Sequence, residues 1–189
     1  MVVDNPSRFI EKYTTKSPRL SNWNYSTPGI YFVTICTLNH NNFFGKIGND
    51  KIILSYCGQI AQQCLLDIPK HFLQIDLDNF VIMPNHLHIL FRIKTPISKS
   101  VETRDRASLQ KGYQSFHFHR LAIKSNQILP KIINQYKSSV KRICNQQHLF
   151  FSWQSRFHDE IIKTRSQFLI TRRYIQNNIV NWEKDKFYR

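Results

Sequence analysis

Asn79-Phe80-Val81-Ile82-Met83-Pro84-Asn85-His86-Leu87-His88-Ile89-Leu90-Phe91-Arg92-Ile93 is the stretch on which the fold turns. Two apolar, β-branched runs flank Pro84-Asn85, a dipeptide that favours a tight connection, so the stretch reads as a β-hairpin. Residues two apart on a strand share a face, which sends His86 and His88 to one side about 7 Å apart along the chain and Leu87 to the other. The strand can therefore anchor itself in a core through Leu87 while presenting two imidazoles together.

Working outward, Tyr31-Phe32-Val33-Thr34-Ile35-Cys36-Thr37 is aromatic and β-branched and predicts a first core strand after Gly29. Turn chemistry at residues 39–42 and 48–50 leads to a short strand over Lys51–Leu54, and Ile60, Cys64, Leu65 and Ile68 return at helical spacing. Beyond the hairpin, residues 94–126 lack a period and read as a basic insertion. Ile132, Ile133, Tyr136, Val140 and Ile143 then mark an amphipathic helix with Pro130 in its first turn. A final strand is expected over Phe157–Lys163, and a last helix from Ser166 to Trp182 with Phe168, Leu169, Ile175, Ile179 and Trp182 on one face. Residues 1–28, with Pro6, Pro18 and Pro28, form an arm on a single domain spanning 29–189. The order β, α, β, β, α, β, α predicts an α+β sandwich, a mainly antiparallel sheet with helices on one face.

With 189 residues and 41% apolar composition, the chain supports one domain with a substantial core. Its 27 Lys and Arg against 12 Asp and Glu give a formal charge of +15, which attracts polyanions, nucleic acid first among them. The charge is concentrated: no carboxylate occurs between Asp105 and Asp159, a stretch crossed by Lys111, Arg120, Lys124, Lys137, Lys141 and Arg142. No apolar run reaches about 18 residues, and Cys36, Cys57, Cys64 and Cys144 show no CxxC spacing. The expectation is a cytoplasmic, nucleoid-associated protein with reduced thiols.

Neutral imidazoles suit a divalent cation, and such an ion can polarise a phosphodiester. Spacing alone is a weak signal, because His117 and His119 repeat it inside the aperiodic insertion. Only the first pair opens an apolar strand, so His86 and His88 are the expected metal ligands. Tyr136, flanked by Lys131, Lys137 and Lys141 on its helix, is the expected nucleophile, since nearby cations favour a phenolate. Trp23, Trp153 and Trp182 are read as core aromatics.

Four ordered blocks carry a resemblance to a known family: residues 25–37, residues 81–88, Tyr136-Lys137-Ser138-Ser139-Val140-Lys141-Arg142, and residues 153–163. Together they resemble the REP-associated tyrosine transposases, relatives of the single-tyrosine HUH transposases of small insertion sequences. The resemblance implies a ferredoxin-like sheet, His86 and His88 on Mg or Mn, and Tyr136 taking the 5′ phosphate of cleaved single-stranded DNA. It also implies a substrate of hairpin DNA with a short single-stranded guide; Lys137, Lys141 and Arg142 are read either as phosphate contacts or as a solvated basic face. Insertion-sequence relatives place a polar ligand one helical turn after the tyrosine; here that position is Val140, leaving His158, Glu160 or water as the third ligand. Both a homodimer and a monomer suit this reading. Its rivals are a non-catalytic nucleic-acid-binding protein that keeps the fold, and a hydrolase in which water attacks.

Overall fold

The computed structural model describes residues 23–95 and 127–188. Most of the expected arm and nearly all of the basic insertion, including Lys111, His117, His119, Arg120 and Lys124, lie outside the described residues.

Four strands form the main sheet: β1 (Gly29–Cys36), β4 (Ile75–Ile82), β5 (His86–Ile93) and β6 (His158–Ile162). Their order is β4-β5-β1-β6, and every pairing is antiparallel. Counted along the chain as first to fourth, this is the 4-1-3-2 order of a ferredoxin-like sandwich. Two further strands, β2 (Gly45–Gly48) and β3 (Lys51–Leu54), pair as a small hairpin. Asn49 and Asp50 connect them with φ of 51° and 54°, the backbone that a two-residue type I′ turn demands.

Side-chain alternation along β5 divides the interior in two. Leu87, Ile89, Phe91 and Ile93 face the larger core, which α1 (Tyr56–Leu66) and α3 (Ile128–Gln146) cover with Ile60, Ala61, Leu65, Ile132, Ile133 and Val140. Each such large side chain, fully buried, contributes about 1.5–3 kcal/mol. A one-turn helix, α2 (Ile68–His71), adds Ile68 to this core. On the other face, Leu90 meets Val81, Met83, Ile162, Ile175 and Trp182. Here α4 (Arg165–Asn177) lies over part of the sheet, so the two long helices on one face are joined by a carboxy-terminal one on the other. A capping box between Thr164 and Gln167 starts α4.

The hairpin forms as its sequence predicts, although β4 begins at Ile75 rather than Asn79. A bulge between Leu77 and Asn79 explains the discrepancy: Ile75 and Leu77 face the larger core before it, Phe80 and Ile82 after it. The extra residue shifts the two-residue period, so the alternation cannot be read through it. The last helix ends at Asn177 and is followed by a 3-10 turn at Trp182–Lys184. Leu169, expected on its apolar face, is 53% exposed.

Gly58 sits in the first turn of α1, where a Cβ would stand 2.2 Å from the carbonyl oxygen of Phe44. Alanine is the better helix former by about 1 kcal/mol, but a clash with backbone outweighs that. Gly58→Ala is expected to lower unfolding free energy by about 1–3 kcal/mol in urea titrations. An unchanged midpoint would show that α1 can move off the β-hairpin.

Candidate metal and nucleophile site

The histidine pair is positioned by the residue before it. Asn85 is fully buried, and its amide nitrogen donates to the carbonyls of His40 (3.2 Å) and Phe187 (2.8 Å). Its side-chain oxygen is thereby left as an acceptor, 2.9 Å from His86 Nδ1. His86 must then carry its proton on Nδ1, which leaves the Nε2 lone pair aimed inward. His88 Nδ1 lies 2.8 Å from Thr34 Oγ1 on the neighbouring strand, and the two Nε2 atoms converge at 3.1 Å. A partner on the remote ring nitrogen is the usual means of orienting a metal-binding imidazole.

Asp185 completes the cluster from the segment after α4. Among the described residues, His86, His88 and Asp185 are the His, Cys, Asp or Glu side chains whose ligand atoms gather within 4.8 Å. Asp185 Oδ2 is 4.0 Å from His86 Nε2, while Oδ1 accepts the Phe187 amide at 2.7 Å. Phe187 itself packs on His40 and His86 with ring centroids 5.2 and 4.6 Å away, holding the segment down. Asn178, buried at 3% exposure, donates to Asp185 Oδ2 at 3.3 Å, and its own Oδ1 is buried with no hydrogen-bond partner. Two neutral imidazoles, a carboxylate and an orphaned amide oxygen form a donor set that fits a divalent cation.

Tyr174, on α4, stands at the mouth of this cluster. Its hydroxyl is 3.1 Å from His88 Nε2 and 3.4 Å from Asp185 Oδ2, and the residue is 41% exposed. Burial, then the Asp185 carboxylate, raises its phenol above the ordinary value of 10.0; a cation beside it acts in the opposite direction.

Tyr136, expected as the nucleophile, occupies the other side of the sheet. It belongs to the larger core with Leu87 and Ile89, at 2% exposure, and donates its hydroxyl to the Ala61 carbonyl at 3.1 Å. Burial holds its phenol well above 10.0. Because His86 and His88 point away from that core, the structure does not bring Tyr136 to them, which corrects the sequence expectation. The residues left open as third ligand, His158 and Glu160, are exposed on β6 and outside the cluster. Lys137 and Lys141 use their ammonium groups on the carbonyls of Gln154 (2.6 Å) and Phe151, fastening the following loop to α3. Arg142 is exposed and reaches Gln146 Oε1 at 3.4 Å. Asn178 lies four residues after Tyr174, one helical turn; that tyrosine and amide pair was the signal in the sequence that would have found the site.

Three comparisons bear on this arrangement. No family model matches the chain. An uncharacterized protein of Haemophilus influenzae is 33% identical over 178 residues, covering 92% of each chain. A REP-associated tyrosine transposase solved bound to a REP hairpin superposes with a TM-score of 0.58 at 13% identity, covering 92% of this chain and 77% of that one.

Burial pushes both imidazoles down to about 3, helped at His86 by His40 and Lys186 and at His88 by His86, with Asp185 opposing. From the reference value of 6.5 to about 3, the unfolded chain therefore binds the protons and the folded chain does not. Without metal, stability should be full above pH 6.5 and fall as pH drops through that window, by about 1.4 kcal/mol per pH unit for each histidine. Urea midpoints between pH 7 and 4.5 in chelator measure this. A slope unaltered in His86→Gln/His88→Gln would refute it.

Proposed function

We propose, for a chain that belongs to one family with the uncharacterized Haemophilus influenzae protein and has the fold of a REP-associated tyrosine transposase, a DNA endonuclease and strand transferase that works through a 5′-phosphotyrosine. The observation that carries this reading is the Tyr174 hydroxyl at the exposed edge of a buried His86, His88 and Asp185 cluster. A basic surface and a hairpin-bound structural neighbour favour single-stranded or hairpin DNA as substrate.

His86, His88 and Asp185 would hold Mg or Mn, with the Asn178 oxygen as a further donor. When bound, the ion would polarise the scissile phosphate and offset its developing charge. Tyr174 attacks phosphorus, giving up its proton to solvent, and the bond to the DNA 3′ oxygen breaks, that oxygen taking a proton from water to leave as a 3′ hydroxyl. Because the phosphotyrosine conserves the energy of the broken bond, a 3′ hydroxyl can attack it later and rejoin strands without a nucleotide cofactor. Asn85 and Thr34 act as positioning residues by fixing the ring orientations. Arg142 borders an open cleft of about 700 Å³ with Trp153, where it can meet a phosphate; Lys137 and Lys141 line the same cleft while holding its wall.

Incubation with labelled single-stranded oligonucleotides and Mn should yield a covalent adduct that survives denaturing electrophoresis. Tyr174→Phe should abolish it and Tyr136→Phe should keep it, at a cost of about 1 kcal/mol from the lost hydrogen bond to Ala61. An adduct that persists in Tyr174→Phe would overturn the assignment. Binding without any adduct would make the protein a non-catalytic reader of DNA.

A further inference from the structure

A groove of about 750 Å³ runs along the outer side of α4, with Tyr174 and Asp185 in its lining. One helical stripe forms its floor, from Ser166 through Leu169, Ile170, Arg173 and Tyr174 to Asn177, with the segment 181–186 as the opposite wall. Its chemistry is mixed in an unusual way for a surface helix. Leu169 and Ile170 are 53% and 66% exposed, and around them stand the cations Arg173, Lys184 and Lys186 and the amides of Asn177 and Asn181. Asp185 is the one carboxylate in the lining, and Tyr174, Asn178 and the Phe187 amide already engage it.

We infer that this groove holds the unpaired DNA strand adjoining the phosphate that Tyr174 attacks, with bases against Leu169 and Ile170 and backbone on Arg173, Lys184 and Lys186. The inference rests on the function proposed above and adds where the strand lies. A duplex keeps its base faces stacked inside and offers two aliphatic side chains nothing. A single strand exposes apolar faces and phosphates together, and the groove pairs both kinds of partner at the same place. Asparagine amides donate and accept at once, as base edges require. A protein helix docking on the same stripe would meet three cations around only two aliphatic side chains, and the net charge of +15 opposes a second copy.

The test uses full-length Tyr174→Phe, which cannot react, and fluorescence anisotropy with a labelled oligonucleotide as a single strand and as a duplex. Ile170→Glu and Arg173→Glu/Lys184→Glu are expected to weaken single-strand binding about tenfold or more, and the charge variant to flatten the dependence on log salt. The charge-matched control Lys70→Glu/Lys131→Glu, on exposed positions of α2 and α3 across the sheet, should change it less than about twofold. Equal losses in both charge pairs, or no loss with Ile170→Glu in protein of unchanged circular dichroism, would overturn the groove assignment. Sedimentation showing a dimer that the groove variants dissociate would also overturn it, in favour of self-association. Absence of single-strand binding by the parent protein would instead refute the proposed function itself, so the two failures are distinct.

Discussion

Everything at the site follows from one strand being buried on both faces. β5 sends Leu87, Ile89, Phe91 and Ile93 into a core roofed by α1 and α3, and the two-residue period leaves His86 and His88 no choice but the opposite side. That alternation makes the imidazoles neutral, because they enter an interior rather than a solvent cleft. It also separates them from every side chain on α3, Tyr136 included. Any side chain that meets this pair must come from the layer on its own face, and α4 is the helix there.

A second constraint is the Asn85 amide, whose hydrogen bonds reach the loop before β2, the carboxy-terminal segment and the first imidazole at once. Two carbonyls determine which end of the amide is oxygen, and the oxygen determines the tautomer of His86. The polar network is thus a relay of fixed orientations in which a tight turn sets ligand chemistry. Removing the amide would leave two carbonyls and a ring N–H unpartnered, each a loss of about 1–3 kcal/mol in a buried setting.

The hairpin and the shared face of His86 and His88 were legible because each depends on local alternation and on a Pro-Asn connection. The tyrosine beside the cluster was not. Tyr136 sits among lysines on an amphipathic helix, and a linear reading cannot tell that its apolar neighbours turn it inward while Lys137 and Lys141 turn to carbonyls. Tyr174 has arginines before it and an amide one turn later, but its role depends on which face of the sheet α4 covers, a long-range property. Asp185 is harder still: between Lys184 and Lys186 it reads as a solvated charge, and only Asn178, Phe187 and Asn85 make it part of an interior.

The distance along the chain between the two halves of the site has a kinetic consequence. Asp185 joins His86 and His88 only across nearly a hundred residues, after β6 and α4 have been laid down, so this contact is among the least local in the fold. The sheet and its larger core can form before the last segment exists, but the ion's full donor set cannot. A chain cut short before residue 185 would keep all four strands of the main sheet but lose one of the three side chains of the cluster.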